Sequence, residues 1–172
     1  MFLMVMGRLL SLCFSGAPMK SCFSCRSDRV VSSTETVEYS FGEVVFSVEM
    51  PCVRCEACGE TTTDHSDGEK ADAAVAHALA LNGPMTGAAF RHMRNVLDIS
   101  RAEMARLLDV APETVSRWEV EGRPVDRAAW LLLSTIVEEH QAGRTTTLAR
   151  LRKVTSEKRG APLMHRLTLA TA

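Results

Sequence analysis

Aromatic residues are scarce in this chain, 5% of 172 positions, so Leu, Val, Ala and Met must fill whatever core forms. Neither charge sign dominates: the formal balance is -1 at pH 7, which by itself selects no partner. Internal repeats and long low-complexity tracts are absent. The apolar run at the start, MFLMVMGRLLSLCF over residues 1–14, is too short to span a bilayer, and no Lys or Arg precedes it as in a signal peptide. No nucleophile stands with a base, and His65, His77, His92, His140 and His165 are scattered. An enzyme is not expected.

What is present is divided unevenly. Residues 1–84 hold 6 Lys/Arg against 11 Asp/Glu, whereas residues 85–172 hold 14 against 10. A half at -5 followed by a half at +4 suggests two modules, the basic one being the candidate for phosphate contact. All six cysteines, Cys13, Cys22, Cys25, Cys52, Cys55 and Cys58, lie in the first third. Paired clusters at C-x-x-C spacing read as metal ligands, whereas secreted disulfide frameworks spread their cysteines through the fold.

Residues 36–50 alternate. Val37, Tyr39 and Phe41 point one way, and after the Phe41-Gly42-Glu43 break Val44, Phe46, Val48 and Met50 do so again. Period two with Val and Phe, split by Gly, predicts a β-hairpin, and Pro51 is expected to stop its second strand. Residues 71–81 are Ala-rich and predict a helix, which Asn82-Gly83-Pro84 ends as a domain boundary. Beyond it Phe90, Met93, Val96 and Leu97 fall at helical spacing. Ser100 with Glu103 predicts a capping box for a second helix whose inner face is Met104, Leu107 and Leu108. Pro112 opens a third helix through Glu121, closed by Gly122. A fourth, over 126–140, turns Ala129, Leu132, Leu133 and Ile136 inward, and residues 148–154 suggest one more, frayed helix.

The knuckles Cys22-Phe23-Ser24-Cys25 and Cys55-Glu56-Ala57-Cys58 stand 29 residues apart and flank the hairpin. Zinc takes four soft ligands in a tetrahedron, and two-residue spacing lets both sulfurs of a knuckle face one ion. A redox C-x-x-C would need one pair only. Cys52 stands three before Cys55, so Cys52/Cys55 is an alternative second knuckle. Gly59 favours Cys55/Cys58 because it frees the backbone to wrap the metal, and His65 is a reserve ligand. Four sulfurs leave no open position, so a structural Zn2+ site is expected, with a module poorly folded without it. A cleaved signal would carry these thiols into an oxidising compartment. Residues 1–18 therefore read as a disordered or mis-called extension, with Met19 as a true start, in a cytoplasmic protein.

The most specific signal is ISRAEMARLLDVAPETVSRWE over residues 99–119. Ala105 is small where two helices cross, Val110 plugs the turn, and Val115 and Trp118 bury the inner face of the third helix. Glu113, Thr114, Ser116 and Arg117 are left outside. Short polar groups with one Arg suit the major groove, where Arg donates twice to guanine and Glu accepts from cytosine N4. Arg101, Arg123 and Arg127 are placed for phosphates. A plain helical bundle with solvated charges is the alternative, which the capping box, turn plug and Trp-Glu ending at this spacing disfavour.

The fold expected is thus α+β. A zinc-bound hairpin domain (19–82) precedes an all-α helix-turn-helix domain (83–141) and a basic tail (142–172). The function expected is a DNA-binding regulator of transcription; the alternative is a protein-interaction adaptor without DNA binding. CFSC, VEYSFGEVVFSVEMP, CEACGE and ISRAEMARLLDVAPETVSRWEVEG, in this order, resemble the MqsA family of antitoxins and regulators. These join a YgiT-type zinc finger to a Cro- or lambda-repressor-like helix-turn-helix. The resemblance runs from about Met19 to His140. It implies Cys22, Cys25, Cys55 and Cys58 as ligands, Arg117 as the main base reader and Ser116 near the backbone. It also implies a homodimer on a palindromic operator, autorepression and, in some members, an RNase toxin sequestered by the zinc domain. Glu113 stands where the family often has Asn, and the terminal extensions are extra.

Overall fold

The computed structural model describes residues 20–156. The extension expected over 1–18 and the end of the tail, 157–172, lie outside the described residues. The fold is α+β. Strands β1 (Val30–Phe41), β2 (Val44–Cys55) and β3 (Thr61–Thr63) form an antiparallel sheet in that order. Helices α1 (His65–Asn82), α2 (Gly87–Val96), α3 (Arg101–Leu108), α4 (Pro112–Glu119), α5 (Arg127–Gln141) and α6 (Thr146–Ser156) follow.

The hairpin pairs Phe41 with Val44 across a two-residue turn in which Gly42 takes φ +65°. A mirror-image hairpin turn needs that sign at its first central position, and Gly adopts it without steric cost. The alternation read from the sequence holds. Phe41 is buried in the core, and Tyr39, Phe46 and Val48 pack against it from the same face. Ser32, Thr34, Thr36, Glu38, Ser47 and Glu49 on the other face are exposed.

Both strands are longer than expected, and Pro51 sits inside β2 opposite Thr34 instead of ending it. Antiparallel pairs alternate between hydrogen-bonded and open positions. Counted from Phe41 and Val44, Thr34 and Pro51 form an open pair, so the missing N–H faces away from β1. On that side β3 pairs only with Cys52, Val53 and Arg54. The ladder loses nothing.

Helix α1 starts earlier than the Ala-rich stretch, because the Asp64 side chain accepts from the Ser66 N–H and caps the turn at His65. Its buried face, Val75, Ala76 and Leu79, joins the cluster built by Phe90, Met93, Ile99, Met104, Val115 and Leu133. The break at Asn82-Gly83-Pro84 therefore connects two helices of one packed layer, and α1 shares the core of the helical half. The hairpin tip closes over that layer: His92 of α2 meets the rings of Tyr39 and Phe41 edge-on at 5.7 and 5.4 Å.

Three helices stop in the same way. After α2, α3 and α5, Asp98, Asp109 and Gly143 take φ +52°, +55° and +68°. The next residues, Ile99, Val110 and Arg144, each donate five positions back to Arg94, Ala105 and Glu139. This Schellman geometry turns the chain sharply, with Asp accepted at two left-handed positions. It makes the α3–α4 turn.

Four expectations need correcting. Helix α4 ends at Glu119, and the left-handed residue after it is Glu121 at φ +59°, not Gly122. In α5, Leu132 is half-buried while Trp130 and Val137 are fully buried with Ala129, Leu133 and Ile136. The start of α3 is capped on one side only: Ser100 Oγ accepts from the Glu103 N–H, but the Glu103 carboxylate turns to Arg152 Nε at 2.8 Å. Nor is residue 148 onward frayed. Leu148 of α6 is buried in the common core.

Candidate functional site

The two knuckles share one backbone design. In the first, Cys22 N–H donates to Ser27 O and Arg26 N–H to Cys22 O; in the second, Cys55 N–H donates to Glu60 O and Gly59 N–H to Cys55 O. Both use bonds spanning five and four residues. The fourth residue after each leading cysteine, Arg26 or Gly59, is left-handed at φ +58° and +78°. Turning back in this way aims amide N–H groups at the sulfurs. Cys55 Sγ is met by the N–H groups of Cys58 and Ala57, Cys58 Sγ by that of Glu60 and Cys25 Sγ by that of Ser27.

The hairpin register places Val30 opposite Cys55, so the first knuckle, just before β1, faces the second, at the end of β2. All four sulfurs lie within 4.8 Å of one another. Cys25–Cys55 and Cys22–Cys58 are 3.6 and 3.7 Å apart. A tetrahedron with metal–sulfur bonds of about 2.3 Å has edges of about 3.8 Å. The cluster is thus sized for one ion, and its four thiols fit a closed, structural centre. Cys52 is excluded from it: three residues from Cys55 along a strand, it faces the opposite side of the sheet and is buried there. His65 pairs instead with Glu69 Oε1 at 3.2 Å.

Packing four sulfurs together divides their acidity. The Cys58 backbone N–H, with help from Ala57, lowers the Cys55 thiol to about 7. The Glu60 N–H acts the same way on Cys58, but neighbouring thiols and burial outweigh it and push that thiol up to about 12. Cys25 is also raised, despite the Ser27 N–H. Additional thiolates at this spacing need a cation, so metal binding releases protons.

Helix α4 begins with Pro112, whose missing N–H is harmless in a first turn. Val115, Trp118 and Glu119 are buried; on the opposite side Glu113 and Arg117 are exposed, flanked by half-exposed Thr114 and Ser116. No carboxylate of the described residues pairs with Arg117. Gly87, the first residue of α2, touches the end of α4 so closely that a Cβ there would lie 1.9 Å from Trp118 O. The Phe90 and Trp118 rings meet edge-on at 5.8 Å.

The remaining sequence-predicted cations divide. Arg123, exposed beyond α4, gives its backbone N–H to Arg117 O at 3.2 Å. Arg127, exposed, opens α5. Arg101 is tied by Nε to Glu119 Oε2 at 3.1 Å and remains half exposed. Sequence reasoning missed Arg94, which occupies a buried position and donates to both Glu119 oxygens and to Ile99 O. Its signal was there: 90, 93, 94 and 97 form one helical stripe, and an Arg in an apolar stripe implies a buried counter-charge.

Among the described residues no helix is long and apolar enough to cross a membrane. Compared with protein-family models, curated proteins and solved structures, the chain matches none.

Proposed function

We propose that this protein is a sequence-specific DNA-binding regulator of transcription, an autorepressing antitoxin in type, whose N-terminal module is held by a structural zinc ion. The observation that carries the reading is the outward side of α4. An eight-residue helix, clamped by its buried side, presents Glu113, Thr114, Ser116 and Arg117, and among the described residues no carboxylate pairs with the Arg117 side chain. The rod enters the major groove, Arg117 donates twice to guanine, and Arg101 and Arg123 meet flanking phosphates. Two copies on a palindrome double the contact. Zinc is favoured over other ions by four thiolates in a closed tetrahedron.

The test is binding to the promoter of the protein's own gene at several salt concentrations. Binding should weaken steeply with salt, and Arg117→Ala should lose preference for the promoter over scrambled DNA while keeping fold and metal. A variant that discriminates normally, or a protein that ignores duplex DNA at low salt, sinks the reading.

A protein partner for the hairpin is the second reading, and β1 favours it. This twelve-residue strand is at the sheet's edge, with Glu35 and Glu38 exposed. An open edge accepts another strand, and acidic residues suit a basic RNase toxin. Absence of DNA binding together with a tight basic partner would favour it.

A further inference from the structure

Helix α6 was expected to belong to a loose basic tail, yet it is fastened at both ends. The Glu139 carboxylate of α5 accepts from Thr147 N–H and Thr147 Oγ1, both at 2.8 Å, capping its first turn from outside. Leu148 is buried in the core and Leu151 packs against it. One turn further on, Arg152 Nε reaches Glu103 Oε1 on the first turn of α3 at 2.8 Å.

This fastening brings two guanidinium groups to one helix start. Arg101 and Arg152 are each held through Nε by a carboxylate, Glu119 and Glu103 respectively, and their side chains are 50% and 51% exposed. Lys153 follows Arg152, and α6 contains Arg150, Arg152 and Lys153 with no acidic residue. Cations held in position by packing lose less freedom on binding than cations on a free tail.

We propose that the C-terminal half of α6 is a second DNA-contacting element, gripping the phosphodiester backbone beside the bases that α4 faces; this rests on the DNA-binding reading above. The first helix of a helix-turn-helix crosses the backbone while the second enters the groove. The start of α3 is therefore where phosphates pass; Arg152 stands beside it with Arg101, and Lys153 is the next residue of α6. Such contacts add affinity without sequence information. Glu103 has two parts in this: its oxygen positions Arg152, which a glutamine oxygen would still do, and its charge, near phosphates, restrains affinity.

The test uses the full chain against promoter and scrambled duplexes from 50 to 200 mM salt, with thermal melting as the folding control. In R152Q/K153Q, each lost phosphate contact should flatten the log–log salt slope by about 0.9, or about 3.5-fold in affinity across that range. Promoter and scrambled DNA should weaken by the same factor. Glu103→Gln, which keeps both cations, should bind both duplexes more tightly and with a steeper slope. Unchanged slopes in R152Q/K153Q, or Glu103→Gln binding no tighter, overturn the role of α6 even if Arg117→Ala still loses its preference. Wild-type protein that binds no duplex overturns both readings.

Discussion

Arg94 and Glu119, 25 positions apart, join two helices by a two-pronged ion pair: Nε to Oε1 at 2.6 Å and Nη2 to Oε2 at 3.1 Å. Their side chains are 7% and 2% exposed. Glu119 is the last residue of α4, Arg94 belongs to the last turn of α2, and Arg101, on the same carboxylate, opens α3. One acidic group thus fixes the three helices of the candidate DNA-binding unit. Arg94 Nη1 also binds Ile99 O at 2.6 Å, holding the α2–α3 turn.

Glu119→Gln should therefore be costly although it is nearly isosteric. It leaves Arg94 buried with its charge uncompensated, which in comparable cases costs roughly 3–5 kcal/mol. Urea unfolding at neutral pH measures it. A loss below about 0.5 kcal/mol would mean that the pair contributes little to holding α4, since neutral surface changes fall in that range.

The cysteines allow a paired comparison. Cys58→Ser should lower bound metal and destabilise the knuckles and the open end of the hairpin, as should a chelator acting on the wild type. The helical core, centred on Phe90, Met93 and Leu133 at the other end of the hairpin, should keep its far-UV signal. Cys52→Ser should leave metal content unchanged, because its thiol faces the other side of the sheet. Elemental analysis of the purified variants decides. Full metal content in Cys58→Ser with loss in Cys52→Ser would reverse the ligand assignment.

What could be read from residue order follows from what is local. Alternation in residues 36–50 specified the hairpin and its inner face because side-chain direction on a strand is set by position alone. The C-x-x-C spacing carried the knuckles for the same reason, since each is built from bonds within six residues. Strand length was not legible: β-pairing across Thr34 and Pro51 depends on which edge lies open, a property of the sheet. The position of α1 in the helical core was equally hidden, because an Ala-rich face packs against anything nearby. Glu103 marks the sharpest limit. Its local reading was a capping box, but Arg152, far along the chain, competes for the carboxylate and wins it.

Tyr39 supplies a pH test, as it is the chain's one tyrosine and phenolate absorbance reads it alone. Burial, and then the Asp72 carboxylate beside it, push its hydroxyl up to about 12 from a tyrosine's ordinary 10.0. A phenol whose acidity is weakened by folding stabilises the fold fully below about pH 10, and that contribution is lost as pH rises toward 12. Absorbance titration of the native protein should give a midpoint near 12, falling in Asp72→Asn. Wild type should lose more stability than Tyr39→Phe over that interval. A native midpoint at 10 would show that the hairpin tip does not rest on α1.

Two glycines in helices should respond oppositely to alanine. In α1, Gly68 has nothing within 4 Å of where a Cβ would stand, so Gly68→Ala should stabilise by about 0.5–1 kcal/mol through the stiffer unfolded chain. Gly87 has the same formal gain available, but its Cβ would meet Trp118 O at 1.9 Å, Trp118 C at 2.9 Å and Glu119 Cα at 3.1 Å. These are backbone atoms that cannot rotate aside, so α4 must move away from α2. The forced separation should cost about 1–3 kcal/mol net and should strain the Arg94–Glu119 pair. Thermal melting of both variants tests the contrast, and promoter binding by Gly87→Ala tests whether displacing α4 disturbs the face it presents. Equal melting temperatures for the two would show that the α2–α4 contact is looser than its atomic spacing implies.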